Sequence, residues 1–336
     1  MTNLHEAYDV ALLDLDGVVY IAGVAIPGAP EALHSAKQAG MRLAYVTNNA
    51  SRTPAAVAAL LTSMRVPAEP ADVVTSAQAA ARLLADKLSA HAPVLAIGAM
   101  ALRLALREQG LRPVSTAADK PQAVVQGYAP GVGYQSIAEG SLAVQAGALF
   151  VGTNGDSTLP GSHGVQPGNG SMLRVIAHAT GVEPVVAGKP EPPLHRESVI
   201  RTGAKHPLVV GDRLDTDIEA AHRAECDSLL VLTGVSRPAD VVVAAVGQRP
   251  TYIAATLDAL LRPYPAVARQ GDGFSCGGWS ARREADGTLA LKSSDASDPV
   301  DGLRALCAAA WAAPAAVTKE QTAAALGELC AAGLPA

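Results

Sequence analysis

The segment DLDGVV, residues 14–19, closes an apolar run of Val10, Ala11, Leu12 and Leu13 with two carboxylates one residue apart. Asp14 and Asp16 so placed repel each other and resist burial, so something must compensate them. Three other stretches offer charge-handling groups in comparable places: Thr47-Asn48-Asn49 after RLAYV, Lys189 in VVAGKPEPPLH, and Asp212 with Asp217 in VVGDRLDTDIEAA. Taken singly, several of these are ordinary turn residues; together their chemistry is complementary. Asp14, Asp16 and Asp212 offer the hard oxygen ligands that Mg²⁺ takes, and a divalent cation would remove the repulsion. Lys189 adds a fixed positive charge, Thr47 a hydroxyl donor, and the loop around Thr47 backbone N–H groups. Cation, lysine and donors make a cradle for a phosphoryl group. A carboxylate beside that cradle can attack phosphorus and form an acyl phosphate. A second carboxyl one residue on can protonate the leaving oxygen and then activate water.

Such groups work only if a scaffold brings them to one edge, and the hydrophobic pattern predicts one. The first half alternates short apolar runs with amphipathic segments, as βαβ units do. VALLD reads as a strand, APEALHSAKQAG as a helix ending at Gly40, MRLAYVTNN as a strand, and TPAAVAALLTSM as a helix with Thr53 as N-cap before Pro54. A further helix opens at Thr75 or Ser76. From Pro93 a second series begins, with strands VLAIG, AVVQG and ALFVGT and helices ALRLALREQG and GSMLRVIAHATG, a small α/β unit of its own. HPLVVGD and SLLVLTG resume as strands with DIEAAHRA as a helix between them, and PTYIAATLDALL completes the pattern. Beyond Pro265 the chain becomes rich in Gly, Ser and Asp; at most two short strands are expected there, then two helices, PVDGLRALCAAAWAA and KEQTAAALGELCAAG. The predicted class is α/β with a parallel sheet, an inserted α/β unit and a small α+β C-terminal extension. Ligands of such sheets bind beyond the carboxyl ends of the strands, where all four polar stretches fall.

Composition narrows the partners. The 336 residues are 49% apolar, enough for large aliphatic cores, and the net charge is −5 with no long basic run. That argues against a nucleic-acid face. The first residues lack a charged-then-apolar leader pattern, and no stretch approaches the length of a membrane span. Cys226, Cys276, Cys307 and Cys330 are scattered without metal-ligand spacing, so ordinary thiols in a cytoplasmic protein are expected.

DLDGV, VTNNASRT, GKPEP and VVGDRLDTDI, in that order, resemble the four motifs of the haloacid-dehalogenase (HAD) superfamily of phosphatases. The chain is similar to the branch that carries a type-2 α/β cap between the second and third motifs, which includes 4-nitrophenylphosphatase-like, phosphoglycolate and glycerol-3-phosphate phosphatases. Residues 8–262 share the pattern, including the cap loop PGNGSM. With its C-terminal extension the whole chain most resembles the actinobacterial glycerol-3-phosphate phosphatases.

The resemblance implies a Rossmann-like core of residues 1–80 and 187–265, a cap of 81–186, and an extension of 266–336 with a degenerate acetyltransferase-like (GNAT) fold. It implies a Mg²⁺-dependent phosphomonoesterase, with Asp14 as nucleophile and Asp16 as general acid/base. Asp14, the backbone carbonyl of Asp16 and Asp212 would hold the ion, supported by Asp217. Gly17, Thr47 and the backbones of Asn48 and Asn49 would hold the phosphoryl oxygens, and Lys189 would bridge nucleophile and phosphate. Asp217 also stands at an expected helix start, where a carboxylate can serve as a cap, and Asp215 reads as an exposed loop or first-turn charge. His163, Gln166 and Asn169, in the cap loop of residues 153–172, are candidates to touch the organic part of the substrate or to structure that loop. The loop has no Lys or Arg, so a second strongly anionic group is disfavoured. Tyr128, in VVQGYAPGVGY, stands where the branch commonly has an acidic residue.

The expected partner is a small phosphorylated metabolite, glycerol 3-phosphate first and phosphoglycolate or an aryl phosphate second, with no nucleic acid, no membrane, and homo-oligomerisation through cap or extension as an option. A non-enzymatic sensor of a phosphorylated metabolite is the reading from another class. The extension lacks the Q/R-x-x-G-x-G/A loop for an acetyl-CoA pyrophosphate, so acetyl transfer is not expected from it.

Overall fold

A computed structural model describes residues 3–161, 164–294, 298–312 and 315–334. The chain divides by packing into two compact units, residues 1–43 with 206–336, and residues 44–205. This division follows packing and cuts the chain elsewhere than the functional modules expected from the motifs.

In the first unit four strands run parallel in the order Tyr252–Ala254, Asp227–Val231, Pro207–Gly211 and Val10–Leu13. Every residue of Val10–Leu13 is buried, as expected for a parallel strand covered on both faces. Its register pairs Leu13 with Val210, so the neighbouring strand Pro207–Gly211 runs one residue further. The helix Ala29–Gln38 buries Ala29, Ala32, Leu33 and Ala36 along one face and stops before Gly40, whose φ is +96°. After Pro207–Gly211 the chain makes one widened helical turn, Leu214–Ile218, then the short helix Glu219–Arg223.

The C-terminal extension is packed into this unit. It forms an antiparallel sheet of Ala268–Gln270, Gly273–Cys276, Trp279–Arg283 and Leu289–Ser293, covered by the helices Pro299–Trp311 and Lys319–Ala331. The expectation of at most two short strands is therefore corrected to four. Each strand has only 3 to 5 residues, and the turns between them carry the glycines that made the segment read as loop. The extension shares one core with the sheet: Leu230, Val241, Val242 and Ile253 join Trp279, Leu291, Leu303 and Leu306.

The second unit begins inside the strand Arg42–Thr47, where Tyr45, Val46 and Thr47 pair in parallel with Val73, Val74 and Thr75. Thr53 caps the helix Pro54–Ser63 by accepting the Ala56 N–H, and Thr75 opens Ser76–Ala85 in a capping box with Gln78. A five-stranded parallel sheet follows, in the order Val185–Val186, Leu149–Gly152, Ala123–Gln126, Pro93–Ile97 and Arg112–Val114. The helices Met100–Glu108, Tyr134–Gln145 and Asn169–Thr180 accompany it, and Leu95, Val124, Val144, Phe150, Leu173 and Ile176 form its core. Within the expected cap loop the chain adds a hairpin, Thr158–Gly161 with Gly164–Pro167. Fully buried Glu197 ties its helix, Pro192–Thr202, to Ser76–Ala85 through Arg82 at 3.2 Å, and pairs with Arg201 one turn on in its own helix at 2.6 Å. Among the described residues no helix is long and apolar enough to cross a membrane.

Candidate active site

The ends of two adjacent strands in the first unit place the acidic candidates. Asp14 directly follows Val10–Leu13, and Asp212 directly follows Pro207–Gly211. The Asp14 N–H donates to the Val210 carbonyl at 2.8 Å, which carries the ladder one step beyond the strand. The widened turn after Asp212 then swings Asp217 back to the same point. A ligand oxygen from each of Asp14, Asp212 and Asp217 lies within 4.8 Å of the others; Asp14 is half-buried and the other two are buried. At that spacing two like charges repel by about 3 kcal/mol or more even at an effective dielectric of about 20. The group is the set of hard, acidic oxygens that suits a divalent cation of the Mg²⁺ type.

Glycines make room for it. A Cβ on Gly17, whose φ is +86°, would overlap the Asp212 carboxylate, and one on Gly211 would overlap Asp217. Asp217 Oδ2 also accepts the Arg213 N–H at 3.2 Å, so it braces the turn that delivers it. Asp16 is not in the triad; its exposed carboxylate accepts a hydrogen bond from the Tyr20 hydroxyl at 3.4 Å. Asp215 is an exposed charge in the widened turn, accepting from Nε and Nη2 of Arg213 at 3.0 and 2.8 Å. Those hydrogen bonds keep its carboxyl below the usual range.

In the second unit the strand Arg42–Thr47 delivers Thr47, whose Oγ1 accepts the Asn49 N–H at 3.1 Å and so sets the following turn. Asn49 spends its own oxygen on the Ser51 N–H and hydroxyl, both at 2.8 Å. Lys189 is buried, and its Nζ donates to the Val46 carbonyl at 3.3 Å. Thr47, Asn48 and Lys189 are thus brought together by the fold. The residue that joins them is Asn48, through its side chain. Asn48 Oδ1 accepts the Lys189 N–H at 2.8 Å, and Nδ2 donates to the Lys189 carbonyl at 3.2 Å. The same Nδ2 reaches both carboxylate oxygens of Asp156, at 3.4 and 3.3 Å. The Asn48 carbonyl accepts from Ser76 Oγ at 2.6 Å and from Asn154 Nδ2 at 2.7 Å. A Cβ on Gly188 would overlap Asn48 Oδ1, so glycine is required beside Lys189.

Sequence reasoning assigned Asn48 by its backbone alone and missed Ser76, Asn154 and Asp156. A signal was available, because Thr153-Asn154 repeats Thr47-Asn48 at the end of another parallel strand. Of the cap-loop candidates, Gln166 is exposed on the hairpin. Asn169 is 2% exposed and gives its amide to the carbonyls of Gln126 at 3.3 Å and Asn154 at 2.9 Å, which supports the loop from behind. His163 lies outside the described residues.

Residues 11–112 match the family described as haloacid dehalogenase-like hydrolase, and residues 186–260 match the HAD-hydrolase-like family. The D-glycerol 3-phosphate phosphatase of Mycobacterium tuberculosis is 44% identical over 322 residues, 94% of this chain and 89% of that protein. This chain is a haloacid dehalogenase-like hydrolase. The hydrolase also matches, over residues 276–334, a family described as GCN5-related N-acetyltransferase like, which places its C-terminal extension. Among solved structures, a glycerol phosphate phosphatase from Mycobacterium tuberculosis in complex with magnesium has a TM-score of 0.88 at 42% identity, covering 98% of this chain and 99% of that one. A thermostable NPPase from Geobacillus stearothermophilus has a TM-score of 0.69 at 36% identity, covering 75% of the hydrolase and 97% of its own chain.

Proposed function

We propose that this hydrolase is a Mg²⁺-dependent phosphomonoesterase whose substrate is glycerol 3-phosphate. The observation that carries the reading is the gathering of Asp14, Asp212 and Asp217 at the ends of adjacent parallel strands, next to the DLDG turn. The choice of substrate is supported by the full-length similarity to phosphatases that act on glycerol phosphate. The functional modules we propose are a catalytic core of residues 1–80 and 187–265, a cap of 81–186 and the extension of 266–336.

Asp14, the Asp16 carbonyl and Asp212 would hold the ion, with Asp217 supporting them. The ion would supply positive charge that offsets the carboxylates and draws electron density from the phosphoryl oxygens. Asp14 attacks phosphorus with a carboxylate oxygen, and the bond from phosphorus to the alcohol oxygen breaks. Asp16 gives its proton to that oxygen, then takes one from the water that releases phosphate from Asp14. The Tyr20 hydroxyl steadies Asp16 for both transfers. Gly17, Thr47, the Asn48 and Asn49 backbones and Lys189 are assigned to the phosphoryl oxygens, and Lys189 is held for that task by Asn48. In the cap, His163, Gln166 and Asn169 are the candidates for the organic part of the substrate, and of the described ones Gln166 is the exposed one. A cytoplasmic setting is part of this proposal.

A kcat/KM panel over glycerol 3-phosphate, phosphoglycolate, 4-nitrophenyl phosphate and a nucleoside monophosphate, with and without excess EDTA, tests it. Glycerol 3-phosphate should lead the panel, and EDTA should abolish turnover. Turnover that persists in EDTA overturns the metal assignment, and a different leading substrate overturns the substrate assignment.

A further inference from the structure

The loop of residues 233–236, which follows the strand Asp227–Val231, belongs to none of the four motifs, yet it encloses Asp212. Thr233 Oγ1 donates to the Gly17 carbonyl at 2.6 Å. The Val235 N–H donates to Asp212 Oδ2 at 2.6 Å, and the Ser236 N–H to the Asp212 carbonyl at 3.1 Å. Ser236 Oγ accepts the Leu214 N–H at 3.1 Å, which fixes the start of the turn that carries Asp217. A Cβ on Gly234 would overlap the Asp212 carboxylate from one side, as a Cβ on Gly17 would from the other. The carboxylate therefore sits in a slot between two glycines, with one oxygen tied to a backbone donor.

We infer that residues 233–236 are a positioning element for the carboxylate triad: Thr233 holds Gly17 against one face of Asp212, Gly234 admits the carboxylate, and the Val235 N–H sets its rotation. The inference rests on the reading of Asp14, Asp212 and Asp217 as cation ligands. A charge-assisted hydrogen bond from a backbone N–H is strong and directional. Groups that orient metal ligands in this way commonly change metal affinity by about 10–100-fold when removed. Thr233 touches no reacting atom in this assignment; it acts through Gly17 and Asp212.

The test is Mg²⁺ binding measured by calorimetry on the full-length protein, wild type against Thr233→Val and Thr233→Ser, with melting temperatures taken in EDTA. Thr233→Val, which keeps the shape and removes the donor, should bind Mg²⁺ about 10–100-fold more weakly while melting in EDTA as the wild type does. Thr233→Ser keeps the donor and should restore the affinity. Val235→Pro removes the N–H that reaches Asp212, from a residue that is 64% exposed; it carries the same expectation if Thr233→Val does not fold. Wild-type affinity in both Thr233→Val and Val235→Pro overturns the inference and leaves the triad's assignment standing. A wild-type protein that binds no Mg²⁺ overturns the triad's assignment and the inference with it.

Discussion

Two buried polar clusters of the first unit lie on the same parallel sheet and balance charge in different ways. On the edge strand Tyr252–Ala254, Arg304 from the extension gives Nε and Nη2 to the Ile253 carbonyl at 2.9 and 2.6 Å. Tyr264 accepts the Ile253 N–H at 2.9 Å, and Arg304 pairs with Asp301 while lying 4.4 Å over the Tyr264 ring. One cation, one anion and the backbone of an otherwise open strand edge satisfy one another. At the ends of Val10–Leu13 and Pro207–Gly211 the fold instead gathers three carboxylates within 4.8 Å. A balanced cluster closes an edge and joins the extension to the sheet. In the second cluster the three carboxylates repel one another, and a cation would relieve that repulsion. Buried charge alone does not mark a functional site; a gathering of like carboxylates that offers a cation its oxygens is the more specific sign.

Breaking each cluster should therefore have opposite effects. The largest effect is expected from Asp14→Asn, which removes the nucleophile: steady-state hydrolysis should fall by at least about 10³-fold with the fold intact by circular dichroism. Hydrolysis at the wild-type rate would remove Asp14 from the mechanism. Next, Arg304→Met leaves the half-buried Asp301 without its cation and strips Ile253 of its donors, and should lower the unfolding free energy by about 3 kcal/mol in urea titrations. Asp212→Asn removes one of three like charges, so in EDTA its stability should equal or exceed that of the wild type. Mg²⁺ should raise the wild-type melting temperature and leave that of Asp212→Asn unmoved. If Asp212→Asn proved as destabilising as Arg304→Met, the contrast between the clusters would fail.

The smallest effect concerns Cys276, which donates to Asp301 at 3.4 Å. Burial and then the Asp301 charge push its thiol up to about 12 from 9.0. The folded state holds this proton more tightly than the unfolded state. The stabilisation is thus complete below about pH 9 and is lost as pH rises toward about 12. Cys276→Ser should flatten the alkaline part of the stability curve measured by denaturant titration, and an unchanged slope would remove Cys276 as its source.

The acidic and basic candidate residues were legible because they sit in short motifs just after apolar runs, and the run itself predicts the strand. Thr53 and Thr75 as helix openers were legible for a related reason, since capping is settled within a few residues. The extension's sheet was not. Its pairing of Trp279 with Ser293 and Phe274 with Ala281 joins strands too short to show a periodicity of their own. Nor was the 233–236 loop, whose threonine, glycine and serine are indistinguishable from any turn until Asp212 is seen against them.

The sequence by itself determined which chemistry is available: a pair of acids one residue apart, a lysine beside a glycine, a Thr-Asn pair, and a downstream acid, each attached to a strand whose apolar pattern is local. The tertiary structure decided which oxygens converge. Asp217, rather than the Asp16 carboxylate, completes the triad, because one widened turn after Pro207–Gly211 swings it back over the strand end. Asn48 became the link to Lys189 and Asp156 because residues 141 and 108 positions apart meet only when the second unit's strands close up. Hydrophobic periodicity is a property of neighbours along the chain, whereas convergence of side chains is set by strand register and turn geometry.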